Sequence, residues 1–279
     1  MTVSATSSKR FRITTSILLF IIAFALWQIY DLIMLYISPP VTLILLLFLA
    51  IPSITLAIFV LFTRLAKSTL GKQGFKKPTT LETSKVLLLS VGFIVIYILI
   101  YLFPAFSTGD FFIRGISTDP FAIIHRVASA ILISLAAESV FRGYVFRNLT
   151  RNHGFFTSLY ASSILFALYQ ISIKDVIGSS PDQIVTYAFT NVLPSFAAGL
   201  FLGYFFYKIG WSLLGPAVFL MGIRFFLDPL PIVSPGSSPY WWMAVTLDAT
   251  SYIILIFIVD SLIKEPKYLR RRYGFETRR

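Results

Sequence analysis

The stretch TTSILLFIIAFALWQIYDLIMLYI, residues 14–37, runs into Ser38-Pro39-Pro40 and then into VTLILLLFLAIPSITLAIFVLFT, residues 41–63. Each run is about as long as a helix must be to cross a hydrocarbon core roughly 30 Å thick, at about 1.5 Å of rise per residue. Neither shows the alternation of apolar and polar residues that marks a barrel strand. Lipid offers no partner to backbone N–H and C=O groups, so a segment of this kind must close its own hydrogen bonds as a helix. The first run is too long for the core of a cleavable signal, and no small-residue cleavage pattern follows it, so it is expected to be a retained span.

The same reading extends along the chain. Of its 279 residues, 57% are hydrophobic and 13% charged, against about 25% charged in a soluble domain. A basic linker, 64–85, carries Arg64, Lys67, Lys72, Lys76, Lys77 and Lys85. Further apolar segments lie at about 86–106, 121–150, 155–172, 183–207, 211–227 and 241–263, separated by Gly-, Pro- and Asp-containing loops at 107–120 and 228–240. The expected protein is all-α and polytopic, a bundle of about eight transmembrane helices. Its organisation is read as N-terminal helices with the basic linker (1–120), a core (121–228), and a last helix with a basic tail (229–279). No internal repeat stands out.

The cations test that count. With eight spans and the N-terminus inside, the inside segments hold the N-terminal Lys9, Arg10 and Arg12, the linker, Arg147, Arg151, Lys208 and the tail from Lys264 to Arg279. The outside loops hold only Arg114 and Lys174. A miscounted span would swap the later loops and erase this bias, so both termini are expected to be cytoplasmic in the cell membrane. The net charge of +12 is thus spent at headgroup level, and membrane lipids rather than nucleic acid are the expected partners. The chain has no cysteine and two histidines, which excludes disulfides and thiolate chemistry and leaves no metal or cofactor expected.

Charges at bilayer depth need a partner or a purpose. Glu138 and Arg142 are four apart on one helix and share a face, so they can pair; the plain reading is a structural ion pair. His125 lies about 220° around the helix from Glu138 and reads as a packing or interfacial histidine. His153, in the turn Arg151-Asn152-His153-Gly154, reads as a solvated loop residue. Asp31 and Asp260 lie near helix ends, where snorkelling or a local partner suffices, and Asp248 could neutralise Arg224.

The segment Ala136-Ala137-Glu138-Ser139-Val140-Phe141-Arg142-Gly143-Tyr144-Val145-Phe146-Arg147 resembles the first signature, Glu-Glu-x-x-x-Arg, of the CPBP family, the CAAX prenyl protease 2-like or ABI intramembrane endopeptidases of the glutamate type. Gly154-Phe155-Phe156 and then Ser162-Ser163-Ile164-Leu165-Phe166-Ala167-Leu168-Tyr169-Gln170 resemble the second motif, Phe-x-x-x-His. Gly199-Leu200-Phe201-Leu202-Gly203-Tyr204 and Trp211-Ser212-Leu213-Leu214-Gly215-Pro216-Ala217-Val218-Phe219-Leu220-Met221 resemble the stretch ending in His-x-x-x-Asn. The resemblance covers about 121–228.

The resemblance implies a water activated by the first Glu and the second-motif His, with the third-motif His and Asn holding the oxyanion. Here the first Glu falls on Ala137, the second-motif His on Gln170, the third-motif His on Met221, and the Asn on Phe225 beside Arg224. Glu138 and Arg142 persist. Ala137 cannot take a proton and Gln170 is no base, which implies a catalytically degenerate pseudo-protease that binds a membrane-protein partner, a lipid or an isoprenoid group. The alternative is a divergent endopeptidase on membrane-anchored, possibly prenylated, proteins, with Glu138 as base and Gln170 or Arg224 polarising the carbonyl. A third reading is a transporter or channel component lined by Glu138, Arg142 and Arg224. If Arg224 enters the old catalytic cavity, it should contact Glu138.

Overall fold

The computed structural model describes residues 3–37, 40–108, 120–227 and 241–264. Arg114, the loop 228–240 and the tail beyond Lys264, on which part of the charge reading rests, lie outside the described residues.

The described residues form helices joined by turns and short connections, with no strand among them. The helices are α1 (Val3–Tyr36), α2 (Val41–Leu65), α3 (Thr83–Thr108), α4 (Pro120–Thr150), α5 (Phe155–Tyr169), α6 (Pro181–Lys208), α7 (Leu214–Leu227) and α8 (Trp241–Leu262). They fall on the eight apolar segments. Six are long and apolar enough to span a membrane, whereas α5 and α7 are shorter apolar helices. The chain is a multi-pass α-helical membrane protein. Helix α1 begins well before its apolar run, at Val3 rather than near residue 14, because a helix closes its own hydrogen bonds and need not stop where hydrophobicity does.

The packing runs around a ring: α1 on α2, α2 on α4, α4 on α7, α7 on α3, α3 on α8, α8 on α6, and α6 on α5. The C-terminal half of α4 turns into this ring and touches α1, α2, α5 and α6. There, residues Ser139–Phe146 adopt a π-helix, with i→i+5 hydrogen bonds, and every one of them is buried. A second π-segment, Ala188–Val192, precedes Pro194 in α6. Pro194 has no N–H, and its ring would clash with the carbonyl four residues back; the wider turn relieves this.

The basic linker is a docked strap. Leu213 N donates to Gly74 O (3.0 Å) and Thr79 N to Ile209 O (3.3 Å). Ser212 Oγ donates to Lys76 O (2.7 Å) and Thr80 Oγ1 to Lys208 O (2.9 Å). These bonds tie residues 74–80 across the α6–α7 turn. Gly143 in α4 lets the strap approach, since a Cβ there would sit 2.7 Å from the Gln73 carbonyl oxygen. At the opposite end of the bundle, buried Gln28 of α1 spans the chain after α5, donating to Ile171 O (2.7 Å) and accepting from Ile173 N (2.9 Å). Gln28→Leu orphans both backbone groups and is expected to lower stability by about 1–3 kcal/mol. Thermal unfolding in detergent checks this; an unchanged midpoint would show that the clamp is idle.

Candidate functional site

Glu138 closes the α-helical part of α4 and Arg142 lies within the π-segment. Arg142 Nη1 stands 3.0 Å from Glu138 Oε1, with the side chains 2% and 0% exposed. Neither Glu138 oxygen receives a hydrogen bond among the described residues, so the guanidinium charge is what offsets the burial of the carboxylate. Arg142 is held on two other sides: Nη2 donates to Gly199 O of α6 (3.2 Å), and its Cζ lies 4.2 Å from the centre of the Phe166 ring of α5. One cation thus joins three helices, which accords with the structural ion pair expected from the i, i+4 spacing.

Ala137, at the position of the family's first Glu, is 2% exposed and belongs to the main hydrophobic cluster together with Phe141, Phe166 and Tyr169. The rings pack edge to face or tilted, Phe141 to Phe166 at 5.3 Å and Phe141 to Tyr169 at 5.2 Å, with Trp27 of α1 at 6.1 Å from Tyr169. Phe141, Phe166, Tyr169 and Trp27 thus form one aromatic cluster that joins α1, α4 and α5.

The other motif positions separate. Gln170 caps α5, and its carbonyl accepts from the Tyr187 hydroxyl at 3.3 Å. Met221 lines a groove between α4 and α7. Phe225 packs edge-on against Phe226 at 5.1 Å. Arg224 makes no ion pair with Glu138: the buried pair of Glu138 is with Arg142, one turn away and needing no reach across helices. Arg224 is half-buried near the C-terminal end of α7, within electrostatic range of the Tyr169 hydroxyl.

Among the remaining intramembrane charges, Asp248 and Asp260 find partners, whereas buried Asp31 keeps one oxygen without a hydrogen bond among the described residues. Asp248 accepts from the Tyr97 hydroxyl at 2.6 Å and not from Arg224. Asp31 is 2% exposed, so it does not snorkel. Asp260 is exposed and takes Lys208 Nζ at 2.6 Å and the Tyr204 hydroxyl at 2.5 Å. His125 Nε2 lies 3.2 Å from Leu45 O, a packing contact, and His153 is exposed. The sequence reading missed the strap and Gln28; a lone amide in a 24-residue apolar run was the available signal for the latter.

The groove beside Met221 has a volume of about 540 Å³. Ile131 and Leu135 of α4 and Val218 of α7 form its walls with Met221, and strap residues Lys76 and Lys77 stand at its rim. Lys76 is half-buried, and burial together with the nearby Arg147 charge pushes its ammonium below the usual lysine range.

No curated protein matches the chain. A family does: type II CAAX prenyl endopeptidase Rce1-like, over residues 91–226. The match begins inside α3, earlier than the three motifs reach, and ends at the Arg224–Phe226 turn of α7. Over these residues, just under half of its length, the chain is similar to the type II CAAX prenyl endopeptidase Rce1-like family, in line with the motifs quoted above.

Proposed function

We propose that this protein is a catalytically degenerate Rce1-like membrane protein, a pseudo-protease that keeps the family scaffold to hold a membrane-protein, lipid or isoprenylated partner. The observation that carries this reading is Ala137, an apolar side chain 2% exposed within the main hydrophobic cluster, where the resemblance puts a base and its water. Gln170, Met221 and Phe225 support it, since none can act as a base, and the side chains of Met221 and Phe225 carry no N–H to hold an oxyanion as the family's His and Asn would. Glu138 is engaged by Arg142 with its side chain sealed from solvent, which fits an anchor. The protein is placed in the cell membrane with both termini, the strap and the basic tail on the cytoplasmic side.

One observation favours the second reading, a divergent endopeptidase on membrane-anchored proteins: half-buried Arg224 is within electrostatic range of Tyr169, the neighbour of Gln170, and a cation there could steady an oxyanion. Cleavage of prenylated and unprenylated membrane peptides in proteoliposomes separates the two. The expected result is no product from wild type above protein-free vesicles. Product that appears with wild type and disappears with Arg224→Gln would overturn the pseudo-protease reading.

A further inference from the structure

The strap holds Lys76 and Lys77 by its backbone. The bonds from Leu213 N to Gly74 O and from Ser212 Oγ to Lys76 O fix the chain on either side of the groove's rim. Neither lysine has a carboxylate partner among the described residues: at this end of the bundle Glu82 is taken by Lys85 and Asp260 by Lys208. Arg147, whose guanidinium lies over Trp211, adds a like charge close to Lys76. Below these cations the groove is apolar, and Ile131 on its wall is 37% exposed, so the slot opens towards the surface that faces lipid. Its volume of about 540 Å³ falls within the roughly 300–1,000 Å³ of small-molecule sites. Clustered cations on a fixed backbone above an apolar slot complement an anion that carries a hydrocarbon chain.

We propose that the groove between α4 and α7 holds an acyl chain of an anionic phospholipid, with the phosphate on Lys76 and Lys77. A chain gains little by leaving bulk lipid for a groove, because the tails around it are equally apolar. Selection therefore falls to the headgroup, where each cation contributes separately. The inference deepens the binding reading by naming one ligand class. It rests on that reading only in placing the strap at headgroup level, and lipid retention and peptide cleavage are read out separately.

The test is native mass spectrometry of the full chain in detergent, supplied with phosphatidylglycerol or phosphatidylcholine of identical acyl chains. The expected result is retention of one phosphatidylglycerol with a preference of about tenfold over phosphatidylcholine. Lys76→Gln/Lys77→Gln should abolish that preference; Lys77 is exposed, Lys76 is half-buried, and the strap is held there through the Lys76 backbone, so the variant is expected to fold. Lys67→Gln/Lys72→Gln, on the same linker but away from the groove, should keep it. Val218→Phe, which fills the slot, should lower retention of the lipid, and soluble glycerol phosphate should not compete. Equal retention of both lipids, or a preference that survives Lys76→Gln/Lys77→Gln, overturns the proposal. So does an equal loss in Lys67→Gln/Lys72→Gln, which would mean diffuse attraction to a basic linker. Displacement of the lipid by a farnesylated peptide would assign the groove to an isoprenoid and overturn it too.

Discussion

Arg142→Ala is expected to destabilise the folded protein by about 3–5 kcal/mol, the range for removing one member of a buried ion pair. The loss has three parts in this structure. Glu138 keeps a carboxylate in a site where its only neutralising charge was 3.0 Å away. The Gly199 carbonyl loses its donor, and the Phe166 face loses the cation above it. Removing both charges is a different perturbation: Glu138→Leu/Arg142→Leu leaves no orphaned charge, and apolar pairs of similar volume often replace buried ion pairs at little net cost. The double variant should therefore recover most of the stability that Arg142→Ala loses. Denaturant titration in detergent, followed by helical circular dichroism, reads both. An Arg142→Ala protein within about 1 kcal/mol of wild type would show that the pair does not hold the fold, and would revive Glu138 as a group kept for chemistry.

That pair also marks how far the sequence could be read. The helices were legible because lipid imposes a length and a composition on anything that crosses it; α1 to α4, α6 and α8 carry both, and α5 and α7 the composition. The Glu138–Arg142 contact was legible because four residues on a helix is a local distance. Its consequences were not: Gly199 and Phe166 reach Arg142 only through the packing of α5 and α6 against α4, and a glycine carbonyl carries no signature in a sequence. The strap was illegible for the same reason. Its bonds use the backbone of Gly74, Lys76, Lys208 and Ile209, while its side chains read as any solvated basic loop would. Arg224 shows the opposite failure. Its charge suggested Glu138 or Asp248 as partners, but Arg142 and the Tyr97 hydroxyl already serve those groups, leaving Arg224 beside Tyr169.

Gly199→Leu is expected to cost about 2–3 kcal/mol, towards the upper end of the range for overpacking. A Cβ at residue 199 would lie 2.9 Å from both the Cα and the Cβ of Ser163 on α5. The obstacle includes backbone, so no side-chain rotation relieves it, and α5 must move from α6. Membrane helices depend on such close approach because they lack a hydrophobic force between them. Gly92 on α3 is the control: a Cβ there meets nothing within 4 Å, so Gly92→Leu should be neutral or slightly stabilising, since leucine favours the helix more than glycine does. The two perturbations argued here also share an atom. Displacing α6 carries the Gly199 carbonyl away from Arg142 Nη2, so part of what Arg142→Ala removes is already gone in Gly199→Leu. The combined Arg142→Ala/Gly199→Leu variant should fall short of the sum of its parts by about 1.5–3 kcal/mol, the worth of one hydrogen bond to a charged group. Strict additivity would place the anchoring of α6 elsewhere and reduce Arg142 to a local partner of Glu138; coupling of that size would mean that the buried charge pair in α4 and the small-residue seam between α5 and α6 are one structural device.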